Sequence, residues 1–63
     1  MDGQRLRLMG AHEIRGRLGG ISRQRVFQLT RRADFPAPVA VLHAGRVWLA
    51  ADVEEWIIVR RSR

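Results

Sequence analysis

The sequence predicts a mainly α-helical domain that carries one small β-hairpin. Three features predict it: a glycine pair followed by a helix-capping serine, a segment interrupted by two prolines, and two β-prone runs separated by a short glycine-containing segment. In chain order, these features predict two short helices, a hairpin and a short closing helix. That order is the layout of a winged helix-turn-helix, in which the hairpin forms the wing.

The first helix is predicted at about residues 10–18, because Ala11, Ile14 and Leu18 recur at helical spacing. The pair Gly19-Gly20 is expected to end this helix, since glycine readily adopts the positive φ that is needed after a helix.

The second helix is predicted to begin after Ser22, whose hydroxyl can accept a hydrogen bond from a backbone N–H two or three residues on. Val26 and Leu29 form its expected buried stripe, and Pro36 prevents Phe35 from continuing the helix. Six basic or amide side chains occupy its other faces: Arg23, Gln24, Arg25, Gln28, Arg31 and Arg32.

The hairpin is predicted from two β-prone runs, residues 39–42 and 47–49, which flank a four-residue loop at residues 43–46. Trp48 is expected to anchor it to the helices. The closing helix is predicted at about residues 51–60, with acids in its first turns and arginines after its end, as the helix dipole favours. We expect these elements to bury ten apolar side chains: Ile14, Leu18, Val26, Leu29, Phe35, Val41, Trp48, Val53, Trp56 and Ile57.

A single domain is expected from 63 residues, with a flexible N-terminal arm at residues 1–8 and the winged domain at residues 9–60. The chain has no cysteine, so disulfides and thiolate metal sites are excluded. Its longest apolar stretches, such as residues 57–59, are too short for a membrane span or a signal-peptide core. We therefore expect a cytoplasmic, nucleoid-associated protein with no membrane partner.

The positive charge of the chain is concentrated in its middle. All 12 Lys+Arg residues are arginine, and the net charge is +6. Residues 1–13 and 47–63 are each balanced, so the whole excess lies between Arg15 and Arg46, where Asp34 is the only acid. Such a localised excess predicts a polyanion-binding surface, because neutralising phosphates releases condensed counterions.

Six short motifs follow one another along the chain: Glu13-Ile14, Leu18-Gly19, and residues 21–26, 34–39, 45–48 and 52–56. By their order and spacing, the sequence resembles the AlpA-like and excisionase-like members of the winged MerR superfamily over about residues 9–58. Such proteins are small DNA-binding regulators of phage or bacterial origin: transcription factors, or excisionases that set the direction of site-specific recombination. The resemblance implies that the second helix enters the major groove and that the wing contacts the neighbouring minor groove or its phosphates.

Residues 22–28 match the recognition helix of these proteins, which makes Arg23, Gln24, Arg25 and Gln28 the candidates for base contact. Arg46 matches the wing arginine. Arginine can pair bidentately with guanine and glutamine with adenine, which supports these roles independently. The candidate DNA-contacting residues are Ser22, Arg23, Gln24, Arg25, Phe27, Gln28, Arg31, Arg32, His43 and Arg46.

Three positions depart from the family pattern. The turn holds one more residue than usual between its first glycine and Ser22, and Arg15 occupies a position that is normally a small alanine. Phe27 replaces a frequent tyrosine, so the ring is kept and a phosphate-contacting hydroxyl is lost.

The sequence gives little support for catalysis, a metal site or a cofactor. His12 and His43 lie far apart without a cysteine or a His-x₃-His pair. His12 is expected to be an exposed helix residue, whereas His43 at the hairpin tip is either solvent-exposed or a phosphate donor. Capping explains Ser22, since no histidine with a carboxylate partner is placed to activate it. We therefore expect no enzyme.

The leading functional prediction is a sequence-specific double-stranded DNA-binding protein that acts as a transcriptional regulator or an excisionase. The alternatives are a DNA-recognition or recruitment module of a phage packaging or other protein assembly, and a general nucleic-acid or RNA binder. MerR-type activators dimerise through a long helix that follows the winged domain, and no heptads follow Trp56 here. We therefore expect a free monomer that gains specificity from further copies on tandem sites, or from an integrase or other partner. Ile58 and Val59 are candidates for such a contact, with covering the core as their expected use.

Overall fold

The structure, a computed structural model, describes residues 7–62 and contains three helices and one three-stranded antiparallel sheet, which confirms the predicted winged helix-turn-helix layout. The strand order in the sheet is β1-β3-β2. The elements are β1 Leu8–Gly10, α1 Ala11–Arg17, α2 Arg23–Thr30, β2 Ala40–Leu42, β3 Gly45–Leu49 and α3 Ala50–Arg61.

Strand β1 was not predicted from the sequence. Leu8, which was assigned to a flexible arm, pairs with Leu49 of β3, and the N–H of Ala50 donates to the carbonyl of Arg7 at 2.8 Å. A strand of three residues is too short to show the alternation of apolar and polar residues from which strands are predicted. Residues 1–6 of the expected arm lie outside the described residues.

Two glycines with positive φ form the turn between α1 and α2. Gly19 has φ 89° and Gly20 has φ 78°, and the N–H of Gly20 donates to the carbonyl of Arg15 at 2.9 Å. The additional turn residue is therefore accommodated by a second glycine. The Arg15 side chain also supports the turn, because its Nε donates to the carbonyl of Ile21 at 2.6 Å.

The hairpin between β2 and β3 is tighter than predicted. Leu42 pairs with Gly45, so the loop contains only His43 and Ala44 instead of the four residues expected. Arg46 was assigned to the loop, whereas its backbone pairs with Val41 in the ladder.

The core packs both tryptophans around Phe35. The ring centroid of Phe35 lies 5.7 Å from that of Trp48 and 4.8 Å from that of Trp56, with edge-to-face geometry in both pairs. The indole N–H of Trp48 donates to the carbonyl of Pro36 at 3.1 Å, which ties the proline segment to β3. Among the described residues, nine hydrophobic side chains are buried: Ile14, Val26, Leu29, Phe35, Trp48, Ala50, Val53, Trp56 and Ile57.

Three expectations about apolar residues were wrong. Val41 is 71% exposed, because it pairs with Arg46 near the hairpin tip, where no helix covers it. Ile58 and Val59 are 62% and 50% exposed and so do not cover the core. Leu18 is only partly buried and packs against the edge of the core.

Helix α3 follows β3 without an intervening loop and spans one residue more at each end than predicted. A bidentate ion pair joins it to α1: Nε and Nη2 of Arg17 donate to the two carboxylate oxygens of Glu54, each at 2.7 Å. This pair lowers the pKa of Glu54, chiefly through the hydrogen bond from Arg17.

Candidate nucleic-acid interface

Helix α2 is fixed at its start and along one side. The Oγ of Ser22 accepts a hydrogen bond from the backbone N–H of Arg25 at 3.0 Å, which confirms the predicted N-cap. Val26 and Leu29 are buried and hold the helix against the core. The remaining side chains of this eight-residue helix therefore project from a rigid support.

An open groove of about 790 Å³ separates α2 from β3, and the start of α1 closes one end of it. We call this the α2–β3 groove. No carboxylate lies among its lining residues in the described part of the chain. Its aromatic lining residues are Phe27 and the buried Trp48, and its polar lining residues are His12, Arg15, Arg23, Gln24, Thr30, Arg31 and Arg46.

The groove brings together five of the predicted site residues. Four of them lie along one face of α2, and the fifth extends from the wing: Arg23, Gln24, Phe27, Arg31 and Arg46. All five residues are exposed. The groove therefore presents three guanidinium groups and one amide from these positions to solvent. This cluster is suited to a polyanion that follows the groove.

The other predicted residues of α2 do not line the groove. Arg25 and Gln28 are exposed neighbours on the flank of the helix, with Nη1 of Arg25 at 3.5 Å from Oε1 of Gln28. Arg32 forms an ion pair with Asp34, in which Nε lies 2.9 Å from Oδ1. The hydrogen bond from Arg32 lowers the pKa of Asp34, and the indole of Trp56 adds a minor lowering. Arg32 is thus engaged with the one acid of the basic segment.

His43 lies in the two-residue turn of the wing, where it is exposed and does not line the α2–β3 groove. The described structure thus brings Arg46 to α2 and leaves His43 at the far end of the wing.

Phe27 and Arg31 form a stacked pair within the groove. The guanidinium carbon of Arg31 lies 4.1 Å from the centroid of the Phe27 ring, within the range of a cation–π contact. The Phe27 side chain is nevertheless 56% exposed, so most of its apolar surface faces solvent.

Three residues that line the groove were missed in the sequence: His12, Arg15 and Thr30. His12 is exposed on α1, as expected. The way α1 and α2 cross also places it in the lining of the α2–β3 groove. Helical periodicity shows which side of one helix is buried, and it does not show how two helices cross.

The described residues contain no group of three or more metal-ligating side chains that could hold an ion. None of the helices in residues 7–62 is both long enough and apolar enough to cross a bilayer.

A capped helix that faces a hairpin across a basic groove is the arrangement of a winged helix-turn-helix domain, a class whose members bind DNA. The comparison with protein families agrees: residues 11–61 match the model described as "Prophage CP4-57 regulatory protein (AlpA)". The chain belongs to this family of phage-related, DNA-binding regulators. No match was found among curated proteins or among solved structures.

Proposed function

We propose that this AlpA-family chain binds duplex DNA sequence-specifically, as a transcriptional regulator or an excisionase-type directionality factor of the MerR-like group. Helix α2 would enter the major groove, and the β2–β3 wing would lie at the adjacent minor groove. The observation that carries the proposal is the α2–β3 groove, with four lining arginines and no lining acid among the described residues. Such a protein would act on the chromosome, in the cytoplasm.

The α2–β3 groove matches a simple feature of duplex DNA. The major and minor grooves are separated by one phosphodiester strand, so a protein with a helix in one and a wing in the other must receive that strand between them. Arg31, directly after the helix, and Arg46 on the wing lie on the two sides of this space. Their guanidinium groups are suited to bidentate phosphate contacts.

We assign base contacts to the start of α2, because the N-terminal residues of a recognition helix lie deepest in the major groove. Arg23 and Gln24 meet this condition, and both line the groove. Arg25 and Gln28, on the flank of the helix, would contact bases or the second strand. Ser22 acts indirectly through the cap, and Arg32 and His43 would contact phosphates at the periphery.

The test is a gel-shift selection from random duplexes with the full chain. We expect an enriched short motif, and binding that weakens steeply as salt is added. Variants Arg23→Ala and Gln24→Ala should relax the motif, whereas Arg61→Ala, which removes an exposed charge from the end of α3, should return the parent motif. Recovery of no motif would contradict the proposal. Tighter binding to single-stranded DNA or to RNA would favour the general nucleic-acid binder instead.

A partly exposed apolar face of the sheet supports a role for protein contacts as well. Cross-strand partners share a face, so Leu8, Leu42, Val47 and Leu49 lie on the side opposite the buried Trp48. No charged side chain belongs to this outer sheet face in the described strands, and the face points away from the α2–β3 groove. It therefore stays accessible when DNA occupies the groove.

We propose that the outer sheet face contacts a second copy bound at an adjacent site. Free chains with a net charge of +6 repel one another. When DNA phosphates neutralise the arginines, two bound copies can approach through a face that carries no charge. Sedimentation should show a free monomer and cooperative loading of two adjacent motifs, with cooperativity lost in Leu42→Asn. A stable dimer without DNA would contradict this. Cooperativity that needs an added integrase or packaging protein would favour the recruitment alternative.

A further inference from the structure

Phe27 is an exposed aromatic side chain with no structural role in the core. It is 56% exposed, whereas Phe35, Trp48 and Trp56 are at most 7% exposed. Val26 and Leu29 supply the contacts that α2 makes with the core. Phe27 lies one turn after Arg23 and one turn before Arg31, so it occupies the middle of the face that we assign to DNA.

The Phe27 ring has a partner on one side. The guanidinium of Arg31 lies over it at 4.1 Å from the ring centroid. This contact restricts the orientation of the ring, because a different rotamer would lose the cation–π attraction. With one ring surface next to Arg31, the exposed remainder is an apolar surface surrounded by arginines and Gln24.

Duplex DNA offers an apolar group that distinguishes one base from the others in the major groove: the 5-methyl of thymine, which phenylalanine can contact. We propose that Phe27 is a specificity-determining residue that packs against a thymine methyl, with Arg31 as its positioning residue. This rests on the proposed function, because it requires α2 to lie in the major groove.

The test replaces thymine by deoxyuridine, one position at a time, in the duplex recovered by selection. This change removes only the methyl group and leaves the hydrogen-bonding edge intact. We expect one position at which the parent protein binds the deoxyuridine duplex about fourfold more weakly, the ratio that corresponds to about 0.8 kcal/mol for one buried carbon. Fluorescence anisotropy measures each affinity.

Three variants test whether Phe27 makes the thymine contact and whether Arg31 positions its ring. Phe27→Ala should bind the thymine and deoxyuridine duplexes equally, and Phe27→Leu, a second apolar variant, should retain part of the discrimination. Arg31→Lys keeps the charge and loses the planar stack, so it should reduce the discrimination with little change in salt dependence. Arg61→Ala, the control, should discriminate like the parent. Because Phe27 is exposed, we expect its variants to melt at the parent temperature.

The outcomes separate the two proposals. Sequence-specific binding that is indifferent to every deoxyuridine, or fourfold discrimination that survives Phe27→Ala, overturns the thymine contact and leaves the proposed function intact. A selected motif without thymine does the same. Absence of specific duplex binding overturns both.

Discussion

The two tryptophans make a matched test of the core, because they are equally buried and differ in hydrogen bonding. Trp48 is 3% and Trp56 is 7% exposed. The N–H of Trp48 donates to the Pro36 carbonyl at 3.1 Å, whereas the buried N–H of Trp56 has no hydrogen-bond partner among the described residues. Replacement of either by phenylalanine removes a similar volume, but only Trp48→Phe removes a hydrogen bond.

The magnitudes follow from these contacts. An intramolecular hydrogen bond contributes about 1 kcal/mol net, and an unsatisfied buried donor costs about 1–3 kcal/mol. Trp56→Phe loses packing but no hydrogen bond, so we expect it to cost about 1 kcal/mol less than Trp48→Phe. Full truncation, Trp56→Ala or Trp48→Ala, should cost roughly 3–5 kcal/mol. A small domain has a total stability of about 5 kcal/mol, so both alanine variants should retain only about 0–2 kcal/mol.

Urea denaturation followed by far-UV circular dichroism measures these free energies. If Trp56→Phe cost more than Trp48→Phe, the assigned hydrogen bonding of the two indoles would be wrong. If Trp56→Ala melted like the parent, the packing of α3 against Phe35 would be wrong.

Two further predictions concern the backbone conformation of the α1–α2 turn and the stability of the fold at acid pH. Gly20→Ala should destabilise the fold by about 1 kcal/mol, because φ at this residue is 78°. Gly16→Ala should stabilise it by about 1 kcal/mol, because Gly16 lies inside α1 with open space around the added carbon. Thermal melting measures both changes, and equal shifts in the melting temperature would refute the turn geometry. Arg17 lowers the pKa of Glu54 in the folded state, so the contribution of this pair is complete above the ordinary pKa of 4.5 and is lost as the pH falls through the lowered value. Glu54→Gln should thus be less stable than the parent at pH 7 and match it in acid, and a difference that persists at low pH would contradict the pairing.

Local signals in the sequence predicted most of the helical framework. The hydroxyl of Ser22 and the ring of Pro36 act within a few residues of themselves, so their effects on α2 were visible without a structure. β1 was not visible, because its three residues are held by backbone pairing with Leu49 and its neighbours. Val41 was misplaced for a related reason: the apolar run was correct for a strand, but the strand extends beyond the helices that could cover it.

The candidate interface was predicted in part. The arginines of α2 and Arg46 were predicted from charge clustering together with the family resemblance, and the structure places several of them around one groove. The division of α2 into a groove-lining side with Arg23 and a flank with Arg25 depends on the position of the wing. The contribution of His12 depends on the crossing of α1 over α2. Both are relations between elements distant in the chain, which local periodicity does not encode.

The most direct test of DNA binding in the α2–β3 groove is the salt dependence of affinity for the selected duplex, measured for Arg46→Ala and Arg61→Ala. Each neutralised phosphate contributes about 0.9 to the slope of log K against log salt. Both variants lose one positive charge, but only Arg46 lines the groove. We predict that Arg46→Ala reduces the slope by about 0.9 and that Arg61→Ala leaves it nearly unchanged. Equal reductions in the two variants would show that net charge alone sets the affinity, and would contradict a DNA strand held between α2 and the wing.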